Sequence, residues 1–111
     1  MSDGCVFCMI ASREIPAEVL REEEGFLAFR DVSPRAATHV LVVPIEHHGH
    51  LDDWIAAGGS SDAMLRFVGA VAADLDVSGR YRLVTNVGEQ AGQVVPHLHW
   101  HILAGPRLPG F

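Results

Sequence analysis

Lysine is absent from this chain: all eight of its basic residues are arginine. A lysyl-nucleotide or Schiff-base intermediate is thereby excluded, and so is a phosphate loop ending in Gly-Lys. No Gly-x-Ser-x-Gly stretch occurs, which removes the main support for a serine hydrolase of the nucleophile-elbow kind. No apolar run approaches the 18 or more residues of a membrane span, and no basic stretch near Met1 leads into an apolar core as in a signal peptide. The expectation is a cytoplasmic protein with no membrane partner. Fourteen acidic residues against eight arginines give a formal net charge of -6, which argues against non-specific nucleic-acid binding. Any phosphate must be held locally, by imidazoles, backbone amides and a few arginines.

What the chain does have is histidine, seven in all, and three of them stand in strict alternation in His97-Leu98-His99-Trp100-His101-Ile102-Leu103. A period of two is the strand period, so the imidazoles share one face and Leu98, Trp100 and Ile102 the other. Pro96 upstream and Gly105-Pro106 downstream bound a run of strand length. Alternate residues on a strand lie about 6.6 Å apart, whereas zinc holds its ligand nitrogens at about 2.0–2.1 Å. All three rings therefore cannot share one ion. At least one is left for nucleophilic or acid-base chemistry near neutral pH.

With 111 residues the chain is long enough for one core and one domain. The pattern predicts a helical turn near Cys5–Ser12, strands at Val19–Arg21, Gly25–Arg30 and Thr38–Val43, and a helical stretch after His50. A long helix over 61–75 follows, with Met64, Leu65, Val68, Val71, Ala72 and Leu75 at helical spacing and Ser60, Ser61 and Asp62 as candidate caps. Strands over Tyr81–Val87 and Pro96–Ala104 end the order. An antiparallel sheet of about five strands with one long helix and a short N-terminal one is α+β. Between the last two strands, Gly88 and Gly92 flank a loop whose amides can turn toward an anion.

The cysteines, Cys5 and Cys8, form a Cys-x-x-Cys near the N-terminus. A disulfide scaffold does not suit a reduced compartment, and the βαβ context of a thioredoxin-like pair is missing. Two thiolates supply half of a tetrahedral zinc site. His47 and His97 are the best donors for the other half, with His48 and His50 crowding the same loop.

His97 to Leu103 resembles the His-Φ-His-Φ-His-Φ-Φ signature of the histidine-triad (HIT) family of nucleotide hydrolases and transferases, over roughly residues 4–105, with 106–111 a short tail. Ile15-Pro16-Ala17, Leu27-Ala28-Phe29, Asp31-Val32-Ser33-Pro34, Thr38-His39, Asn86-Val87-Gly88 and Gly92-Gln93 agree in order, closest to the Hint-like branch. The resemblance implies His99 as nucleophile, with His101 on the leaving-group side and His97 orienting the strand. It implies Asp31 on the ribose hydroxyls, Phe29 and Val32 as walls for the base, and Asn86, Gly92 and Gln93 near the phosphate. It further implies structural zinc on Cys5, Cys8, His47 and His97, a purine nucleotide (AMP-like) ligand, and a homodimer with a continuous ten-stranded sheet in which Phe111 of the tail shapes specificity. The implied activity is hydrolysis of purine nucleoside phosphoramidates. Diadenosine polyphosphate hydrolysis or phosphorolysis, and a nucleotide-binding regulatory dimer, stay open beside it. Two departures stand out. Val94 occupies the place after the loop glutamine where many relatives carry Ser or Thr, and Ile45-Glu46 follow Pro44 instead of a lysine.

Overall fold

The computed structural model describes residues 4–110, so Phe111 lies outside them. Helix α1 (Val6–Ala11) precedes strands β1 (Val19–Glu23), β2 (Phe26–Arg30) and β3 (Thr38–Pro44). Helices α2 (Leu51–Ala56) and α3 (Ser61–Asp74) come next, then strands β4 (Arg82–Val84) and β5 (Trp100–Ala104). The strands form one antiparallel sheet in the order β1-β2-β3-β5-β4. This is the α+β class that the pattern predicts.

β3 is central and covered on both faces, which is why it reads as a continuous apolar run. Val40 and Val42 face a core that α2 and α3 complete through Trp54, Met64, Phe67, Val68 and Val71. Leu41 and Val43 face the opposite side, where Phe7 and Ile10 of α1 close a second cluster. The triad strand follows the same division. Leu98, Trp100 and Ile102 join the α3 core.

α3 has chemical signals at both ends. Ser60 accepts from the Ala63 amide at 3.1 Å as N-cap. Asp76 takes a positive φ of 58° beyond the last turn. The amides of Asp76 and Val77 then bond back to the Ala73 and Ala72 carbonyls, and Val77 is buried with Ala72; this is a Schellman stop. Leu65, expected in the core, is 55% exposed. It lies one residue, about 100°, round from the stripe of Met64, Phe67, Val68, Val71 and Ala72.

The expected strand over Pro96–Ala104 pairs only from Trp100, and the cause is a proline. The β3–β5 register matches Val42 to Trp100, so Leu98 would next face Pro44, which has no N–H to give. The Leu98 amide turns to the His48 carbonyl at 2.7 Å instead, and Thr85 Oγ1 donates to the His99 carbonyl at 2.7 Å. The same divergence limits the expected strand Tyr81–Val87 to Arg82–Val84.

Two glycines separate packing from propensity. A Cβ on Gly59 would lie 2.1 Å from the Trp54 ring, whereas one on Gly69, inside α3, meets nothing within 4 Å. Gly59→Ala is expected to cost about 2–3 kcal/mol by overpacking. Gly69→Ala is expected to gain about 0.5–1 kcal/mol. Urea unfolding of the two variants checks both signs.

Candidate active site

Triad residues and neighbouring loops enclose a cleft of about 210 Å³. Its chemistry is fixed by which ring nitrogen carries each proton. His99 is buried at 7% exposure, with Nδ1 2.8 Å from the His97 carbonyl. A carbonyl only accepts, so Nδ1 holds the proton and Nε2 keeps its lone pair. Phe7 packs edge-on against this ring with centroids 5.0 Å apart, and against His97 at 5.8 Å.

The same logic runs through His39, which strand parity places on the Leu41 face of β3. The Arg35 amide donates to His39 Nδ1 at 3.0 Å, so the His39 proton sits on Nε2, 2.9 Å from His101 Nδ1. His101 Nδ1 therefore accepts, and its own proton resides on Nε2. Asp31 closes the chain with Oδ2 3.4 Å from His39 Nε2, while its Oδ1 accepts from the Ser33 amide at 2.8 Å. Asp31, His39 and His101 lie close enough to hold an ion. A metal on His39 Nε2 would, however, strip the ring of its last proton while Nδ1 still accepts from Arg35, so the cluster is built as a hydrogen-bond chain.

His97 is fully buried. Its Nε2–H donates to the Pro44 carbonyl at 2.8 Å, which turns the Nδ1 lone pair toward Cys5 Sγ at 3.3 Å, Cys8 Sγ at 3.5 Å and His47 Nδ1 at 3.1 Å. Cys8 Sγ also lies 3.3 Å from His47 Nδ1. Tetrahedral zinc with Zn–S of about 2.3 Å and Zn–N of about 2.0–2.1 Å spaces its ligand atoms by about 3.3–3.8 Å. The four side chains fit that shell, and the Pro44 carbonyl would be the outer partner that orients the His97 ring as a ligand. Of the other loop histidines, His48 pairs with Glu46 at 2.9 Å and His50 lies by Asp53 at 3.6 Å. Burial and the adjacent Cys5 push the Cys8 thiol up to about 11.

Among the expected ligand-binding residues, Asp31, Asn86, Gly92, His99 and His101 line the cleft. Phe29 does not; it is packed in the α1-side core at 2% exposure. Val32 is 91% exposed. Gln93 is buried, and its side chain is spent inside the protein: Oε1 accepts from the Gly88 amide at 2.8 Å, and Nε2 donates to the Gly49 and Val95 carbonyls at 2.7 and 2.9 Å. It buckles the glycine loop, where Gly88 and Gly92 hold φ of 87° and 98° around a 3₁₀ turn. Sequence reasoning gave no role to Phe7, Arg35 or His39, which also line the cleft. His39 had a signal, a histidine opening an otherwise apolar strand; that it meets His101 depends on a register no local pattern reveals.

Such a site, with alternating histidines on a sheet edge strand's neighbour and a glycine loop beside them, defines a histidine-triad protein. Residues 12–108 match the HIT domain family, and the chain belongs to it. It is 42% identical over 106 residues to an uncharacterised HIT-like protein of Azospirillum brasilense, covering 93% of this chain and 87% of the relative. A histidine triad protein from Clostridium difficile superposes with a TM-score of 0.84 at 36% identity, covering 96% and 95% of the two chains. A HIT family hydrolase from Legionella pneumophila does so with 0.82 at 37% identity, covering 96% of each.

Burial, with help from His99 and His39, pushes the His101 ring down to about 4; burial also takes His97 to about 4, against the opposing Pro44 carbonyl. Unfolded histidines take up protons near pH 6.5. Between there and pH 4 the unfolded state binds more protons, so stability is lost as pH falls through that window. Thermal melts from pH 7.5 to 4.5 should show a falling Tm, with a shallower fall for His101→Gln; a flat profile would contradict these neutral rings.

Proposed function

We propose that this protein is a nucleotide hydrolase that cleaves purine nucleoside phosphoramidates at the α-phosphate and releases AMP through a nucleotidyl-His99 intermediate. The observation that carries the reading is the His99 ring, whose Nδ1–H is held by the His97 carbonyl so that Nε2 is a free nucleophile in the cleft that His101 also lines. His99 Nε2 bonds to the α-phosphorus as the bond to the leaving amine breaks. The bound anion favours a proton added to the Asp31–His39–His101 chain, so that His101 gives its Nε2 proton to that amine while Nδ1 takes one from His39 and His39 Nε2 takes the added proton from Asp31. Water then attacks the phosphorus, its proton returns to His101, and AMP leaves with His99 restored. The Ala91, Gly92 and Gln93 amides bond back to loop carbonyls. That leaves the amides of Val94 and Val95, residues that line the cleft, to stabilise charge on the phosphoryl oxygens, and Asp31 and Asn86 orient ribose and phosphate. The edge position of β4 supports a twofold dimer with a continuous sheet.

One observation favours a second reading. Arg35, exposed and lining the cleft, suits an additional phosphate, as in diadenosine polyphosphates. Side-by-side rates of AMP release from an adenosine phosphoramidate and from diadenosine tetraphosphate decide between them. Faster phosphoramidate cleavage is expected, falling by at least about 10³-fold in His99→Ala while AMP binding persists. Retained turnover in that variant would refute the nucleophile, and binding without turnover of either substrate would favour a regulatory dimer.

We also propose structural zinc on Cys5, Cys8, His47 and His97, tying the N-terminus to the triad segment. When bound, zinc supplies a closed, charge-neutralising tether and leaves no open position for a reactive water. With the Cys8 thiol raised to about 11, zinc uptake must displace protons, so affinity weakens as pH falls. Elemental analysis should find a single zinc per chain, absent in Cys8→Ser, whose stability should drop by several kcal/mol. Metal-free protein with an unaltered Tm would refute the site.

A further inference from the structure

Beside the catalytic cleft, and sharing Val94 with it, lies a second cavity of about 300 Å³. We propose that it is the subsite for the leaving group, and that it takes an amine whose apolar chain ends in a cationic group; this rests on the phosphoramidate reading above. Val94 is 86% exposed, and a substituent on the departing nitrogen that passes it enters the second cavity. The walls are held by the protein's own hydrogen bonds. They come from Gly49 and His50 ahead of α2 and from Gly88, Glu89 and Pro96 of the loop, and the Gln93 amide ties these two segments together.

The wall chemistry selects the tail. Val94 and Pro96 offer apolar surface for methylenes. The exposed Glu89 carboxylate has no ion-pair partner among the described residues. His50 Nδ1 is closed off from solvent without a hydrogen bond, the Asp53 carboxylate standing 3.6 Å away. None of the eight arginines lines this cavity, so a polyphosphate tail finds no counter-charge there, while an ammonium finds Glu89. Val94 offers only methyl groups, so the group next to the leaving nitrogen is held by contact rather than by a hydrogen bond to that side chain.

Adenosine 5′-esters of methyl-, hexyl- and 6-aminohexylphosphonic acid carry a P–C bond where the substrate has P–N, so the wild-type protein binds them without cleavage. In titration calorimetry the hexyl ester is expected to bind about tenfold tighter than the methyl ester. The 6-aminohexyl ester should gain about a further fivefold, and Glu89→Gln should bring the aminohexyl-to-hexyl ratio to about one. Equal affinities for the methyl and hexyl esters would overturn the subsite while leaving the phosphoramidate reading intact. A hexyl gain with no amino gain would overturn the cationic preference. Failure of the methyl ester to bind would overturn the nucleotide reading itself, and the subsite with it.

Discussion

The hydrogen bond from His97 Nε2 to the Pro44 carbonyl holds the rest of the site in place. Pro44 ends the pairing of β3 with the triad segment because it has no amide proton, and its carbonyl is left to the ring of His97. That one contact selects the tautomer that turns Nδ1 toward the two cysteines and His47. It also anchors the residue whose own carbonyl holds the proton of His99. The candidate metal cluster and the candidate nucleophile are thus set by opposite ends of a single residue, ring on one side and backbone on the other.

A second constraint is the sheet itself. Strand parity divides the molecule cleanly: apolar residues of the triad segment enter the α3 core, while the imidazoles face α1. Burial is what keeps His97 and His101 neutral, and Phe7 packs on the rings of His97 and His99. α1 is short, and its link to the triad runs through Cys5 and Cys8 as well as through Phe7. The N-terminal segment is therefore part of the site's dielectric environment and not an appendage to the sheet.

Element order, the α+β class and the common face of the three histidines were legible because each follows from periodicity within a few residues. So were the caps of α3, through Ser60. Three things were hidden. The loss of pairing at His97–His99 depends on Pro44 standing opposite Leu98, a register fact. The meeting of His39 with His101 depends on that register too. Gln93, expected near phosphate from the resemblance, is occupied with three backbone groups from two loops, a closure over 44 residues of sequence that no local pattern encodes. Phe29, a wall for the base by resemblance, is packed with Leu27 in the α1-side core, a placement that their alternation along β2 already carries.

The Gln93 buckle has a thermodynamic consequence. A glycine-bounded loop free in solution would surrender much conformational entropy on closing around an anion. Here the Gln93 amide joins the loop to Gly49 and Val95, so that entropy is surrendered as the chain folds. An anion held by this loop would meet a mould rather than a mobile flap, with its enthalpy going into affinity instead of ordering.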